Sequence, residues 1–507
     1  MIKKLRSLTD NQTQAFLTLL ASLVAWRIIY IQNGWINDDS ILYFEVARLF
    51  ALGEWKQGLA LYNWSLYSAL LAFLHKLLDI NIQQVAEILN VIFFTVSTYS
   101  FMAIIRLAGG NKITMLFGSL LLFSTPYLVG DVLPMLLRDQ GFWAFFLLSI
   151  QFFILFYRTE KFSHALLWQL TAIIAVLFRI EATTFLVLLP FVLFTKENAQ
   201  HRVREWVYAN SLSLLAFTII LSLLLLIPSL SLKSFGRLND LFSLLILSYN
   251  NISETFVAKA QIMNEQILGD FLDDYGMLGI LLTMGAILVS KCMLSPGWVA
   301  SIILMSNWKN SLNDVIPDVL KILYWVIAIA ILNAAVILTS NFILSGRYIA
   351  SLSFILLILA SFSFTQLFHS DNTGWKKYLL ILAIILSSVV LINNLRPKDN
   401  EYNYEQYAVN WIKTHNKSNS PVFYTTPSTR YYAGAPYAGR GYDDWAYITN
   451  AIADGSVQNY SYLVIELKNH QPDKEQQLFN SLDNYKLVKE FMGFRSKKKV
   501  MVFAKIN

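Results

Sequence analysis

Charge is scarce in this chain and cysteine is nearly absent. Only 14% of its 507 residues are Asp, Glu, Lys or Arg, where an ordinary soluble domain carries roughly 25%; a soluble enzyme is excluded. Cys292 is the sole cysteine, so an intramolecular disulfide, a cysteine zinc site and an iron–sulfur cluster are excluded too. The chain lacks a Gly-x-x-x-x-Gly-Lys-Ser/Thr loop, a Gly-x-Gly-x-x-Gly after a strand and a His-Glu-x-x-His pair. These absences argue against P-loop ATP hydrolysis, a dinucleotide cofactor and zincin chemistry. The histidines, His75, His164, His201, His369, His415 and His470, are dispersed and form no metal set. No internal repeat or low-complexity segment is present.

What the chain has is apolar length. Hydrophobic residues make up 56% and the mean hydropathy is +0.48. Charge is also uneven: about 23% of residues from Lys398 onward are charged, against about 12% before it. The first part therefore reads as lipid-embedded and the tail as soluble. The expected architecture is an all-α polytopic membrane bundle of about 11–13 transmembrane helices over residues 1–396, followed by a small soluble α/β domain over 397–507. The net charge of +7 fits cytoplasmic loops enriched in Lys and Arg, and no nucleic-acid partner is expected. Lys3, Lys4 and Arg6 precede an apolar run with no small-residue cleavage site, so that run reads as an uncleaved first span.

A hydrocarbon core about 30 Å thick needs roughly 20 apolar residues in a helix. Candidate spans lie at about 14–31, 85–106, 112–129, 141–157, 163–178, 182–195, 207–228, 276–293, 319–339, 348–368 and 376–394. Residues 62–78 are short and broken by Asn63, Ser65, Ser68 and His75, and read as an interfacial or re-entrant segment; 296–307 is ambiguous in the same way. Eleven spans with the N-terminus inside place Arg106 and Lys112, Arg158 and Lys161, Lys196, Arg202 and Arg204, Lys291 and Lys309, and Lys376 and Lys377 in cytoplasmic loops, as the positive-inside rule requires. Counting 62–78 as a further span would break that pattern. The same topology puts outer loops at 32–84, with interfacial helices, and at 229–275. It makes the tail extracytoplasmic, on a multi-pass protein of the inner cell membrane.

In the tail, 402–414 and 472–484 have helical character, and Pro421–Tyr424, Tyr462–Glu466 and Lys499–Ala504 read as strands. Tyr431–Tyr447 is rich in Gly, Tyr and Asp, which suits an ordered surface loop and also a carbohydrate-facing one.

The charged residues of the apolar part are few enough to take one by one. Asp38 and Asp39 follow the first span. Adjacent carboxylates repel, so one is expected to have a raised pKa suited to a general base; two solvated loop acids are the plainer reading. An amphipathic helix expected over Ile41–Phe50, with Tyr43, Glu45 and Arg48, would hold the pair at the interface. Arg138 and Asp139 precede a span, where Asp is also a cap. Arg179 and Glu181 sit between two apolar runs, at a depth where ionisable groups face a cavity or pair with each other. Arg347 and Tyr348 open another span and could serve only as an interfacial anchor; Arg27 can snorkel and takes no role. One topology collects Asp38, Asp39, Arg138, Asp139, Arg179, Glu181 and Arg347 at the outer face. Carboxylates beside guanidinium groups fit a reaction in which a base activates a hydroxyl and a phosphate leaves.

Taken in order, the acid pair with Tyr43, Ala47-Arg48 and Gly53-Glu54-Trp55 behind it, Arg138-Asp139, Phe178-Arg179-Ile180-Glu181-Ala182 and Gly346-Arg347-Tyr348 resemble the GT-C superfamily of integral-membrane glycosyltransferases. The similarity is to the bacterial branch related to protein O-mannosyltransferases and aminoarabinose transferases, and it covers roughly residues 10–396. It implies inverting transfer of a sugar from a polyprenyl-phosphate-linked donor to a glycan, lipid or protein acceptor at the outer face of the bilayer. Asp38 or Asp39 would be the base and Asp139 a second acid shaping the site. Arg138 and Arg347 would face the lipid phosphate, with Arg179, Glu181 and Tyr348 beside them. A divalent cation, magnesium or manganese, would sit at Asp38 and Asp39 in branches that use one, and no nucleotide or redox cofactor is expected. Tyr62-Asn63-Trp64-Ser65-Leu66-Tyr67 stands where relatives often have a proline-rich stretch. Two other classes remain open from sequence: a polytopic transporter or lipid flippase, and a non-catalytic component of polysaccharide assembly.

Overall fold

A computed structural model describes residues 9–196, 201–227, 253–269, 271–306, 308, 312–369, 374–397, 403–439, 442–494 and 497–506. Lys3, Lys4, Arg6, Lys309, Gly441 and most of the 229–275 loop lie outside them. The chain forms two compact units: residues 1–28 with 87–395, and 29–86 with 396–507. The first outer segment thus groups with the tail rather than with the rest of the apolar part.

The first unit is a bundle of apolar helices. Among the described residues eight helices are long and apolar enough to cross a membrane: Asp10–Ile31, Ile82–Leu107, Asp139–Thr159, Arg202–Leu226, Gly276–Leu294, Pro317–Asn341, Gly346–His369 and Trp375–Asn394. A ninth is broken, Lys112–Phe123 meeting Pro126–Met135 at 51°. Two shorter apolar helices, Phe162–Phe178 and Ile180–Thr195, complete the set. Each of the eleven expected spans therefore coincides with helix, because a chain without water must satisfy its own backbone. Arg202–Leu226 and Gly276–Leu294 are only 11% buried along their apolar stretch, and exposed apolar surface on that scale is a lipid-facing surface. By contrast, Asp139–Thr159 and Gly346–His369 run through the interior, joined by the edge-on rings of Trp143 and Phe354, 5.6 Å apart.

The broken span shows how freed backbone groups are recovered. Pro126 begins its second half, and the Asn394 amide donates to the carbonyls of Phe123 (3.1 Å) and Thr125 (3.3 Å). Gly130 makes room for it: a Cβ there would lie 2.7 Å from Asn394 Oδ1. Residues 62–78 do not form a long span. They give the 13-residue helix Leu66–Leu78, which belongs to the second unit. The other ambiguous segment is the nine-residue helix Trp298–Ser306.

The second unit is built on a four-stranded sheet of order β1-β2-β4-β3, with β1 Val422–Tyr424, β2 Tyr462–Lys468, β3 Tyr485–Met492 and β4 Lys498–Lys505. β1 runs parallel to β2; the other pairings are antiparallel. Alternation along the strands builds two cores. Phe423, Leu463, Ile465, Met501 and Phe503 pack with Ile448, Val457 and Leu478 on one face. Tyr424, Val464, Val500 and Val502 pack with Ala408, Val409 and Ile412 on the other. The three expected strands and both expected helices are present, the latter as Tyr404–His415 and Pro472–Ser481. β3 was not expected, and the Tyr431–Tyr447 loop is helical at both ends, where Pro427–Ala433 and Asp444–Ala453 enter it.

The 29–86 segment is stitched to this domain by polar contacts. Ile36 N–H donates to the Tyr432 hydroxyl (3.0 Å), which lies 3.3 Å from the Gly34 carbonyl, and Ser428 Oγ donates to Asp38 (2.7 Å). Near this seam sit four carboxylates, Asp38, Glu405, Asp444 and Glu466. Lys498 pairs with Glu466 at 2.7 Å, and Tyr404 Oη donates to the same carboxylate at 2.6 Å. Burial, reinforced by the charges of Glu466 and Asp38, pushes the Glu405 carboxyl from its ordinary 4.5 up to about 8 and Asp444 up to about 6. Between those limits the folded state keeps a proton on Glu405 that the unfolded chain releases, so stability falls as pH rises from about 4.5 through 8. In the full chain, protease resistance of residues 403–506 is expected to be lower at pH 9 than at pH 6. Glu405→Gln should shrink that difference; equal resistance of the wild type at the two pH values would contradict a protonated Glu405.

Candidate functional site

In the first unit, three chain segments deliver ionised groups to one place. Asp139 opens its helix at a position with no solvent exposure. Its carboxylate makes no cap contact; it accepts from Arg179 Nη1 and from Arg347, Nη2 at 2.8 Å and Nε at 3.3 Å. Arg179 turns its other side to Glu181, with Nη2–Oε1 at 3.1 Å and Nε–Oε2 at 3.4 Å. The plane of the same guanidinium meets the Tyr348 ring, 4.8 Å from its centroid, where attraction to the π-face adds to the ion pairs. Arg138, 8% exposed, is close enough to act electrostatically on both Asp139 and Glu181.

Local sequence explains how these groups are presented. The Phe162–Phe178 helix ends at Arg179, whose backbone is extended (φ −142°, ψ 120°) before the short turn Ile180–Ala182. The break aims Arg179 sideways rather than along a helix face. Asn333 from the Pro317–Asn341 helix holds the turn, donating to the Glu181 carbonyl (3.0 Å) and to Thr184 Oγ1 (2.6 Å). Ser345 caps the turn carrying Arg347, accepting from its N–H at 3.4 Å and meeting the Tyr127 hydroxyl at 3.2 Å. Gly346 is required there, since a Cβ would lie 2.4 Å from the Tyr127 ring.

Burial sorts the members. Asp139 and Arg179 are fully or nearly fully enclosed, at 0% and 4% exposure, whereas the Arg347 side chain keeps 22%. A carboxylate shared by two guanidinium groups is committed to positioning them, and of the two Arg347 is the one that reaches the surface. Asp139, Arg179, Glu181, Arg347 and Tyr348 are thus brought together within the first unit.

Asp38 and Asp39 lie in the second unit. They form the first turn of the helix Asp38–Ala51, where the Asn37 side chain accepts from Asp39 N–H at 3.0 Å. Asp38 borders a cavity of about 270 Å³ lined also by Trp35, Tyr404, Glu405, Ser428 and Lys498. These tail residues were not foreseen. Ser428 is 390 positions from Asp38, and no local pattern marks such a contact. Among the described residues no three His, Cys, Asp or Glu side chains group as metal ligands; a magnesium ion at Asp38 and Asp39 would take the rest of its oxygen ligands from water and a substrate phosphate.

No protein-family model matches this chain, and neither does any curated protein. Among solved structures, it is similar to the archaeal oligosaccharyltransferase AglB from Archaeoglobus fulgidus, solved in complex with an inhibitory peptide and a dolichol-phosphate. The TM-score is 0.51 at 8% identity, covering 92% of this chain and 70% of that one. It also matches the arabinofuranosyltransferase AftD from Mycobacteria, with a TM-score of 0.48 at 11% identity over 97% of this chain and 41% of that one. The chain thus spans less than half the length of AftD. The likeness to AglB shows a shared fold.

Proposed function

We propose that this chain is a membrane glycosyltransferase that moves a sugar from a polyprenyl-phosphate-linked donor to an acceptor hydroxyl at the outer face of the membrane. The observation that carries this reading is the Arg179–Asp139–Arg347 constellation in an otherwise apolar helical body. Placing ionised groups there costs several kcal/mol each before pairing, and guanidinium groups are suited to phosphate oxygens. The fold shared with AglB, which was solved with dolichol-phosphate, supports a lipid-phosphate partner. The resemblance to the bacterial O-mannosyltransferase and aminoarabinose-transferase branch supports a cell-envelope acceptor.

In this reading the acceptor oxygen attacks the anomeric carbon and gives its proton to a carboxylate base, the role that the family resemblance assigns to Asp38 or Asp39. The bond between the anomeric carbon and the phosphate oxygen breaks on the opposite side, so configuration inverts and polyprenyl phosphate leaves. Arg347 and Arg138 stabilise the charge that grows on the departing phosphate. Asp139 is a positioning residue: it fixes the Arg179 and Arg347 guanidinium groups, and Glu181 and Tyr348 hold Arg179 from its other side and its face. The donor chain lies against the apolar helices, and the tail lies outside the membrane.

Replacing Asp38 and Asp39 together with Asn is expected to lower transfer from a polyprenyl-phosphate-linked sugar by about 10²–10⁴-fold, the usual worth of a general base, at unchanged protein level. Undiminished turnover removes the acid pair from the chemistry. Arg347→Lys keeps the charge but loses the planar fork, and should lower kcat/KM for the donor by about 10²–10³-fold. Asp139→Asn should do the same and also destabilise the bundle by about 3–5 kcal/mol, since it leaves buried guanidinium charge unpaired. A normal thermal midpoint and a normal donor kcat/KM in Asp139→Asn would refute its positioning role.

A further inference from the structure

The second unit holds a cavity of about 430 Å³ that the reaction above does not use, within the range of about 300–1,000 Å³ typical of small-molecule sites. Its walls come from the Asp38–Ala51 helix, the start of the Ile82–Leu107 helix, the Pro427–Ala433 helix and the loop at 435–438. Among the residues lining it are Phe44, Glu45, Arg48, Gln83, Tyr431 and Tyr437. Arg48 and Glu45 form a two-pronged pair, both bonds 2.8 Å, so the cavity offers planar donors and acceptors side by side, with Arg430 and His75 also on its lining. The Tyr431 hydroxyl reaches Gln83 Oε1 at 3.4 Å, and its ring leans on Phe44 with centroids 6.1 Å apart.

The loop that closes the cavity is fixed in place. Arg430 donates to the Pro436 carbonyl at 3.0 Å, with longer bonds of 3.4 Å to the Tyr424 carbonyl and the Tyr447 hydroxyl. Gly434 and Gly439, at φ of +72° and +98°, set the turns on either side of Ala435, Tyr437 and Ala438. Such pre-organisation removes an ordering cost from binding.

We infer that this cavity is a carbohydrate subsite, which binds a sugar unit of the acceptor glycan. A pyranose ring has a C–H face, which packs on aromatic π-faces, and a rim of hydroxyls, which pair with planar amide, carboxylate and guanidinium groups; the cavity presents both. An anion would meet Arg48 already paired with Glu45 and Arg430 already bound to the Pro436 carbonyl, so each guanidinium has partners of its own. A peptide strand is a poorer fit: no residue of β1–β4 lines the cavity, so no sheet edge is offered to it. The carbohydrate assignment stands on this geometry alone, and only its designation as the acceptor's rests on the transfer reading.

The test uses the full chain in lipid nanodiscs, without any lipid-linked donor, titrated with a panel of defined neutral oligosaccharides. Saturation-transfer NMR and intrinsic fluorescence report binding, and inorganic phosphate and a short peptide serve as comparison probes. At least one oligosaccharide should bind. Tyr437→Ala and Ala438→Trp, the second filling the space from an exposed position, should each weaken it by about tenfold, while Tyr437→Phe retains it. Absence of binding across the panel, binding indifferent to both substitutions, or equal binding of phosphate or peptide would overturn the assignment. The doubly Asn-substituted acid pair separates the two readings. If it fails to transfer yet binds the oligosaccharide, both stand; if the wild type transfers but the cavity variants leave the acceptor KM unchanged, only the subsite falls.

Discussion

Asp139 carries its charge at a position with no solvent exposure, and the structure around it follows from that. Two guanidinium groups from distant segments close on its carboxylate, and each then needs its own partners. Arg179 finds Glu181 and the face of Tyr348; Arg347 finds a capped turn that reaches the surface. Such a cluster is poor evidence for stability, since apolar residues of the same volume often do as well. It is better understood as an arrangement that holds cationic groups at a fixed point in a body otherwise made of Leu, Ile and Phe.

The helix breaks around it have the same logic. A continuous helix between 162 and 195 would leave no extended residue at Arg179, and an unbroken one from 112 would lack the 51° bend before Pro126. Instead the chain opens at Arg179 and after Phe123, and polar side chains from elsewhere recover the freed carbonyls: Asn333 at Glu181, Asn394 at Phe123 and Thr125. Irregular backbone inside an apolar body is tolerated only where it is enclosed by protein and its groups are satisfied.

Most of this architecture is legible from composition. Apolar length fixes the eleven helical segments, and the fall in hydropathy after residue 396 marks the tail. Apolar run length finds β2 and β4, each lying between two strands with a core on either face. It does not find β3, an edge strand that carries Lys486, Lys489 and Glu490 and loses register between Leu487 and Lys489, so its period of two is interrupted where it would be read. The helices Pro427–Ala433 and Asp444–Ala453 were obscured by the Gly and Tyr content between them, although Thr426 and Asp443 cap them in the ordinary way. Scarcity is what exposed the candidate residues. In a segment so poor in charge, Asp139, Arg179, Glu181 and Arg347 had few alternatives to one another.

What sequence could not reveal are the partners supplied by the tail. Asp38 is held by Ser428, faces Tyr404 and Lys498, and shares its surroundings with Glu405, Glu466 and Asp444. Each of these is unremarkable in its own stretch of chain, and only the grouping of 29–86 with the tail gives them a common environment. That grouping bears on the proposed chemistry. Ser428 Oγ donates to Asp38, so the tail orients the carboxylate, and the cavity that Asp38 borders is walled by Tyr404, Glu405 and Lys498. The tail therefore supplies the immediate surroundings of the proposed base.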